Sequence, residues 1–180
     1  MSDHLIEKGL VTVYTGPGRG KTTASLGLAL RVLGWGGCVC MIQFIKGYRD
    51  IGEAGFAEQF GNRFVLKQFA VDLNSSICES DVVERRESAE NALACAEAML
   101  SEGKCDLIIL DEINNALHYG LIELNRVLNL IKNKPAHVEL VLTGRDAPPE
   151  IVQVADYATE MLLIKHPFEN GSAARRGVDY

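Results

Sequence analysis

The chain has 180 residues, of which 47% are hydrophobic and 23% charged, with a formal net charge of -6; this is the makeup of one globular domain long enough to bury a real core. The acidic balance offers no basic surface for a phosphate backbone, so nucleic acid is not expected as a main partner. No apolar run approaches the roughly 18–20 residues needed to cross a bilayer, and the opening Met-Ser-Asp-His-Leu-Ile-Glu-Lys lacks the basic-then-apolar layout of a secretion signal, so a cytoplasmic protein without a membrane partner is expected.

In chain order, Leu10 to Tyr14 is a short β-rich run that stops at Thr15-Gly16-Pro17-Gly18. Residues 21–34 read as a helix, closed by Gly34. Cys38 to Ile45 reads as a second, buried strand, and Lys46 to Gly55, polar and with three glycines, as a loop. Phe64 to Phe69 is the third strand and 70–79 a loop. Asp81 to Glu102 is a long helix with Ala89, Ala92, Leu93, Ala96, Met99 and Leu100 on its inner face. Asp106 to Leu110 is a strand of continuous apolar character, Leu121 to Lys132 a helix, and Val138 to Leu142 another buried strand. Pro148-Pro149 opens a short helix through Ala155, and Thr159 to Lys165 is the last strand. Strands alternating with helices predict an α/β fold on a mainly parallel sheet, in a single domain over 1–180. Residues 1–9 form a short arm before it, and 171–180 a small, charged tail expected to be mobile when nothing is bound. The five cysteines, Cys38, Cys40, Cys78, Cys95 and Cys105, have neither disulfide nor zinc spacing and read as small apolar residues, with Cys38 and Cys40 on one strand face.

Gly16-Pro17-Gly18-Arg19-Gly20-Lys21-Thr22-Thr23 lies between the first strand and the first helix, where a phosphate loop belongs. Glycines let backbone N–H groups turn around a phosphate, and the helix N-terminus adds its dipole. Lys21 brings a mobile charge and Thr22 a hydroxyl suited to Mg²⁺. Only three residues separate Gly16 from Gly20, one fewer than in the usual loop, so the cradle is expected to differ in shape. ATP is the expected nucleotide.

Leu107 to Glu112 is an apolar strand ending in two carboxylates, the place where phosphate-loop proteins hold Mg²⁺. Asp111 and Glu112 read as two ion ligands, or as an ion ligand and a base for water; the alternative is a helix N-cap by Asp111 with Glu112 in the first turn. Gln43 to Gly47, with Glu53 beyond, follows the second strand on the ligand-facing edge. Lys46 and Glu53 read equally as site residues or as solvated loop charges. Arg145 follows the fifth strand and could touch a phosphate or pair with Asp146, while Arg31 lies on the first helix, where exposure is the default.

Together these segments resemble one family, the phosphate-loop ATP:corrinoid adenosyltransferases of cobalamin (vitamin B12) synthesis and salvage. The resemblance runs from about Gly9 to Tyr180. It rests on Thr-Gly-x-Gly-x-Gly-Lys-Thr-Thr-Ala at 15–24, Gln-Phe-Ile-Lys-Gly at 43–47, Gly-Glu at 52–53, Leu-Asp-Glu at 110–112, Thr-Gly-Arg at 143–145, and Lys-His-Pro-Phe with Gly-Val-Asp-Tyr in 165–180.

The resemblance implies a P-loop NTPase-like (RecA-like) three-layer fold. It also implies a reaction in which a corrinoid reduced to Co(I) attacks the 5′ carbon of ATP and inorganic triphosphate leaves. Lys21 and the loop then serve the triphosphate, Thr22 and Glu112 resemble the Mg²⁺ ligands with Asp111 close by, and Arg31 falls at a position able to reach the nucleotide. In this family aromatic side chains after the third strand displace the corrinoid's lower ligand; here that stretch reads Ala70-Val71-Asp72-Leu73-Asn74. A homodimer and a flavoprotein reductant such as flavodoxin are implied as well. The competing functions are a P-loop ATPase with Glu112 as water-orienting base, a nucleoside kinase of the thymidine-kinase type, and a nucleotide-binding regulatory module without turnover. The kinase lacks support, because no zinc-binding cysteine set stands near the C-terminus.

Overall fold

The computed structural model describes residues 4–45, 51–69, 79–165, 167, 171 and 173–178. Its centre is a six-stranded sheet in the order β3-β2-β4-β5-β1-β6, and every pair in it is parallel. The strands are β1 (Val11–Thr15), β2 (Val39–Gln43), β3 (Phe64–Gln68), β4 (Leu107–Asp111), β5 (Glu139–Thr143) and β6 (Tyr157–Glu160). The helices are α1 (Lys21–Gly34), α2 (Gly52–Phe60), α3 (Glu79–Glu102), α4 (Ile113–His118), α5 (Leu124–Lys132) and α6 (Pro149–Val154), with a 3₁₀ turn at Gly61–Arg63.

Side chains alternate along the inner strands and build one core on each face of the sheet. Val13, Cys40, Ile42, Ile108, Leu110, Leu140 and Leu142 pack with residues of α3, α4, α5 and α6. Val39, Met41, Leu107, Ile109 and Val141 pack with Ala29 and Leu33 of α1 and Ala57 of α2. Helices thus cover both faces of a parallel sheet, the three-layer α/β architecture that the alternating pattern predicts. Cys38 and Cys40 share the first of these cores, and burial pushes the Cys40 thiol up to about 12, as expected of a thiol that serves as packing. Cys78 lies outside the described residues.

Three elements differ from expectation. Residues 52–55, expected to be loop, form the first turn of α2. Each glycine costs a helix about 1 kcal/mol relative to Ala, and packing offsets it: Phe56 contacts Phe60 and Phe64 at centroid distances of 4.8 and 5.8 Å, and Ala57 is buried. The helix α4 was expected only under the alternative reading of Asp111 and Glu112; it is six residues long and starts without a side-chain cap, one residue later than that reading placed it. The last strand lies at Tyr157–Glu160 rather than 159–165, because it pairs with β1 from Thr12↔Tyr157 to Thr15↔Glu160 and β1 ends there. Among the described residues no helix is long and apolar enough to cross a membrane.

Candidate functional site

The site forms where the strands end. The phosphate loop leaves β1, Gln43 closes β2, Asp111 closes β4 and Thr143 closes β5, so the C-terminal edge of the sheet gathers all four, as in other open α/β sheets.

The loop takes its shape from glycines. Gly16 and Gly20 have φ of +92° and +111°, which other residues adopt only at a cost. Gly18 is constrained by space: a Cβ there would lie 2.5 Å from the Met161 carbonyl oxygen and 2.6 Å from that of Leu162. The Gly18 N–H donates to the same Met161 oxygen at 2.6 Å. The glycine pattern therefore seats the loop on the chain leaving β6 as well as opening it towards a phosphate.

Gly20 precedes α1 without a side-chain cap, which leaves the first N–H groups of the helix available to an anion. Along α1 the buried stripe is Lys21, Ser25, Ala29 and Leu33, one residue per turn. That stripe turns the Lys21 ammonium under the loop, where Nζ donates to the carbonyls of Gly16 and Gly18, each at 2.7 Å. Burial lowers the Lys21 pKa from its ordinary 10.5; Glu112 opposes the shift and Arg145 adds to it. Lys21 thus feels the charges of both Glu112 and Arg145.

Asp111 is fully buried at the β4 end. Its Oδ1 accepts from Thr22 Oγ1 at 2.9 Å and Thr143 Oγ1 at 2.8 Å, and its Oδ2 accepts from Gln43 Nε2 at 3.2 Å. Gln43 Oε1 in turn accepts from Gln68 Nε2 at 3.1 Å. Because Thr22 donates its proton to Asp111, its lone pairs are left for a cation in the cleft. Asp111 acts as the anchor of a polar chain, and the helix-capping alternative does not hold, since α4 begins at Ile113 with Glu112 before it.

Glu112 has φ +66° and ψ 17°, a left-handed conformation costly for a residue with a Cβ. Its N–H donates to Thr143 Oγ1 at 3.0 Å. This turn sends consecutive carboxylates apart: Asp111 stays buried while Glu112 lines the cleft.

The cleft measures about 1160 Å³, above the roughly 300–1,000 Å³ of a pocket for one small ligand. Of the residues anticipated from sequence it brings together Pro17, Gly18, Arg19, Gly20, Lys21, Thr22, Thr23, Glu53, Glu112 and Arg145. Gly16 sits at the loop's base, and Gln43 stands behind the site, bonded to Asp111. Arg31 does not line this cleft; it lies exposed on α1, one residue past the cleft-lining Leu30. Asp146 faces His118 at 3.8 Å rather than Arg145. Lys46, residues 70–74, His166, Phe168, Asp179 and Tyr180 lie outside the described residues.

Sequence reasoning named Thr143 within Thr-Gly-Arg but gave it no role; its hydroxyl links Asp111 to Glu112. It missed an apolar rim of Leu26, Leu30, Phe56, Tyr119 and Leu163, and it quoted the cleft-lining Gly177 and Val178 only as part of a C-terminal motif. The Arg19 guanidinium donates to the Val178 carbonyl, so the tail closes one side of the cleft.

Residues 7–180 match the protein-family model described as ATP:corrinoid adenosyltransferase BtuR/CobO/CobP. A corrinoid adenosyltransferase of Pseudomonas aeruginosa is 37% identical over 176 residues, covering 97% of this chain and 85% of that protein. A corrinoid adenosyltransferase of Escherichia coli is 33% identical over 174 residues, covering 97% and 87%, and the corrinoid adenosyltransferase CobA of Salmonella typhimurium is 32% identical with the same coverage. The chain belongs to the ATP:corrinoid adenosyltransferase family.

Proposed function

We propose that this chain, as one adenosyltransferase domain over 1–180, transfers the adenosyl group of ATP to a corrinoid reduced to Co(I). The cobalt supplies the electron pair that forms the bond to the 5′ carbon, the bond from that carbon to its phosphate oxygen breaks, and triphosphate leaves with the pair. No proton has to be removed from the nucleophile, so the protein's task is alignment and stabilisation of a highly charged leaving group. The observation that carries this reading is the convergence of Lys21, Thr22, Glu112 and Arg145 on one cleft with room for more than a nucleotide.

Lys21 exchanges its bonds to the Gly16 and Gly18 carbonyls for phosphate oxygens. The loop N–H groups and the start of α1 hold the rest of the chain of phosphates. The donor set suits Mg²⁺, which takes one or two carboxylates together with substrate phosphates: the Thr22 hydroxyl and the Glu112 carboxylate would hold it, with Asp111 orienting Thr22. Among the described residues no group of three or more His, Cys, Asp or Glu forms a metal cage, which suits an ion arriving with the triphosphate. An ion held by Thr22 and Glu112 would supply charge neutralisation to the leaving group. The apolar rim of the cleft suits the bulk of a corrinoid. A homodimer, a flavodoxin-like electron donor and a cytoplasmic setting belong to the same reading and rest on the family alone.

The test combines protein, ATP, Mg²⁺ and chemically reduced corrinoid and follows the light-sensitive alkylcobalt product by absorbance. The expected result is product that requires both protein and ATP; ADP and orthophosphate formed without any corrinoid requirement would mean an ATPase. Glu112→Ala is expected to impair the Mg²⁺-dependent rate with the fold intact, and activity equal to wild type at every Mg²⁺ concentration would remove Glu112 from the metal site.

A further inference from the structure

The loop from β5 to α6 is tied down at four consecutive residues. The Gly144 N–H donates to the Tyr14 carbonyl at 3.2 Å. The Arg145 N–H donates to Asn115 Oδ1. The Asp146 carboxylate faces His118 Nδ1 at 3.8 Å, and the Ala147 N–H donates to Thr15 Oγ1 at 3.0 Å. Two of these four ties come from α4, the helix that starts directly after Glu112. The fit against α4 is close: a Cβ on Gly144 would meet Asn115 Oδ1 at 2.7 Å and Asn114 Cβ at 2.9 Å. Gly144 and Asp146 flank Arg145 with φ of +134° and +51°; the first is open to glycine, and the second is a left-handed conformation that costs a residue with a Cβ.

We propose that Asn115 is a positioning residue for the triphosphate site: its side-chain oxygen holds the Arg145 backbone so that the Arg145 side chain shares the cleft with Lys21. Asn115 and Arg145 both line the cleft, as does Glu112 one turn before Asn115. The short α4, which starts directly after Glu112, therefore ties the Arg145 loop through Asn115 to the element that follows the Glu112 carboxylate. Arg145 already lowers the proton affinity of Lys21 through its charge, and a polyanion between the two cations removes that repulsion. Nothing in the phosphate-loop pattern assigns a role to Asn115.

This inference rests on the cleft being the triphosphate site, and the experiment separates the two. ATP with Mg²⁺ is titrated calorimetrically into the full chain and into Asn115→Ala, Asn115→Ser, Arg145→Ala, Lys21→Ala and the Asn115→Ala/Arg145→Ala double variant. Asn115→Ala is expected to weaken ATP up to about tenfold, the upper scale of one neutral hydrogen bond, with Asn115→Ser weakened less. In the Arg145→Ala background, Asn115→Ala is expected to add nothing, because it acts through Arg145; a staple that merely stabilised α4 would add its effect in either background. Wild-type affinity in both Asn115 variants, or an undiminished Asn115 effect without Arg145, overturns the proposal. If Lys21→Ala binds ATP as tightly as wild type, the cleft assignment itself fails; if Lys21→Ala loses ATP while the Asn115 variants keep it, only the Asn115 role fails.

Discussion

Two flanks of the phosphate loop are built on opposite principles. On the β4 side, Thr22 joins a buried polar chain in which Asp111 accepts three hydrogen bonds and none of its surface is exposed. On the β6 side, the loop's hydrogen bond to Met161 runs from backbone to backbone, and all four strand residues are exposed. Beyond β6, Leu162, Leu163 and Ile164 are 68%, 44% and 93% exposed. The buried flank fixes side-chain chemistry, and the exposed flank fixes only the path of the main chain. Substitutions on the first are therefore expected to act on ATP, and on the second through sterics or not at all.

The largest effect is expected at the junction of the two flanks. Lys21→Ala removes the ammonium tucked under the loop and is expected to reduce turnover at least about a hundredfold, as for loss of one preorganised donor. Normal turnover would place the triphosphate elsewhere. The same lysine gives a pH signature. Its pKa lies below 10.5 and its cationic form binds phosphate, so ATP affinity falls as pH rises through that lowered value. Triphosphate favours the cation, so binding takes up protons on the alkaline side. Calorimetry in buffers of different ionisation enthalpy reads this uptake, and affinity constant up to pH 10.5 contradicts it.

Asp111→Asn comes next. It places an amide nitrogen among two hydroxyl donors and the Gln43 amide, which Gln68 orients. A loss of about 1–3 kcal/mol in denaturant unfolding is expected, with weaker Mg²⁺-dependent activity because Thr22 loses its orientation. Gly18→Ala probes the exposed flank by sterics: its Cβ would press on two backbone oxygens of the 161–162 segment. A similar stability loss of about 1–3 kcal/mol is expected, and an unchanged melting curve would mean that the loop does not rest on β6. Ile164→Ser should change stability by no more than about 0.5 kcal/mol if the exposed run faces water. A larger, concentration-dependent loss would show that a second copy of the chain covers it.

The contrast also explains what was legible in the sequence. The ends of β1 and β4 and the span of α1 were readable because an apolar run meets glycines or carboxylates there, and periodicity changes at the junction. Helix α2 was hidden by Gly52 and Gly55, which local propensity counts against a helix and an aromatic cluster compensates. The start of helix α4 was hidden because Glu112 enters it in a left-handed conformation that no residue type announces. The apolar run Met161 to Ile164 read as strand, yet the sheet uses the more polar Tyr157–Glu160, whose register is set by β1. The charged residues that line the cleft were named from sequence. Asn115 was not, and Thr143, Gly177 and Val178 were quoted in motifs without a role, because their contribution is a contact between segments distant in the chain.

The central claim is that the loop holds three phosphates as one leaving group while the chemistry takes place at the ribose carbon. Phosphorus NMR of a complete turnover with ATP, Mg²⁺ and chemically reduced corrinoid tests it most directly. The account predicts intact inorganic triphosphate released in equal amount to the alkylcobalt product. ADP with orthophosphate, or AMP with pyrophosphate, in that same proportion would contradict it.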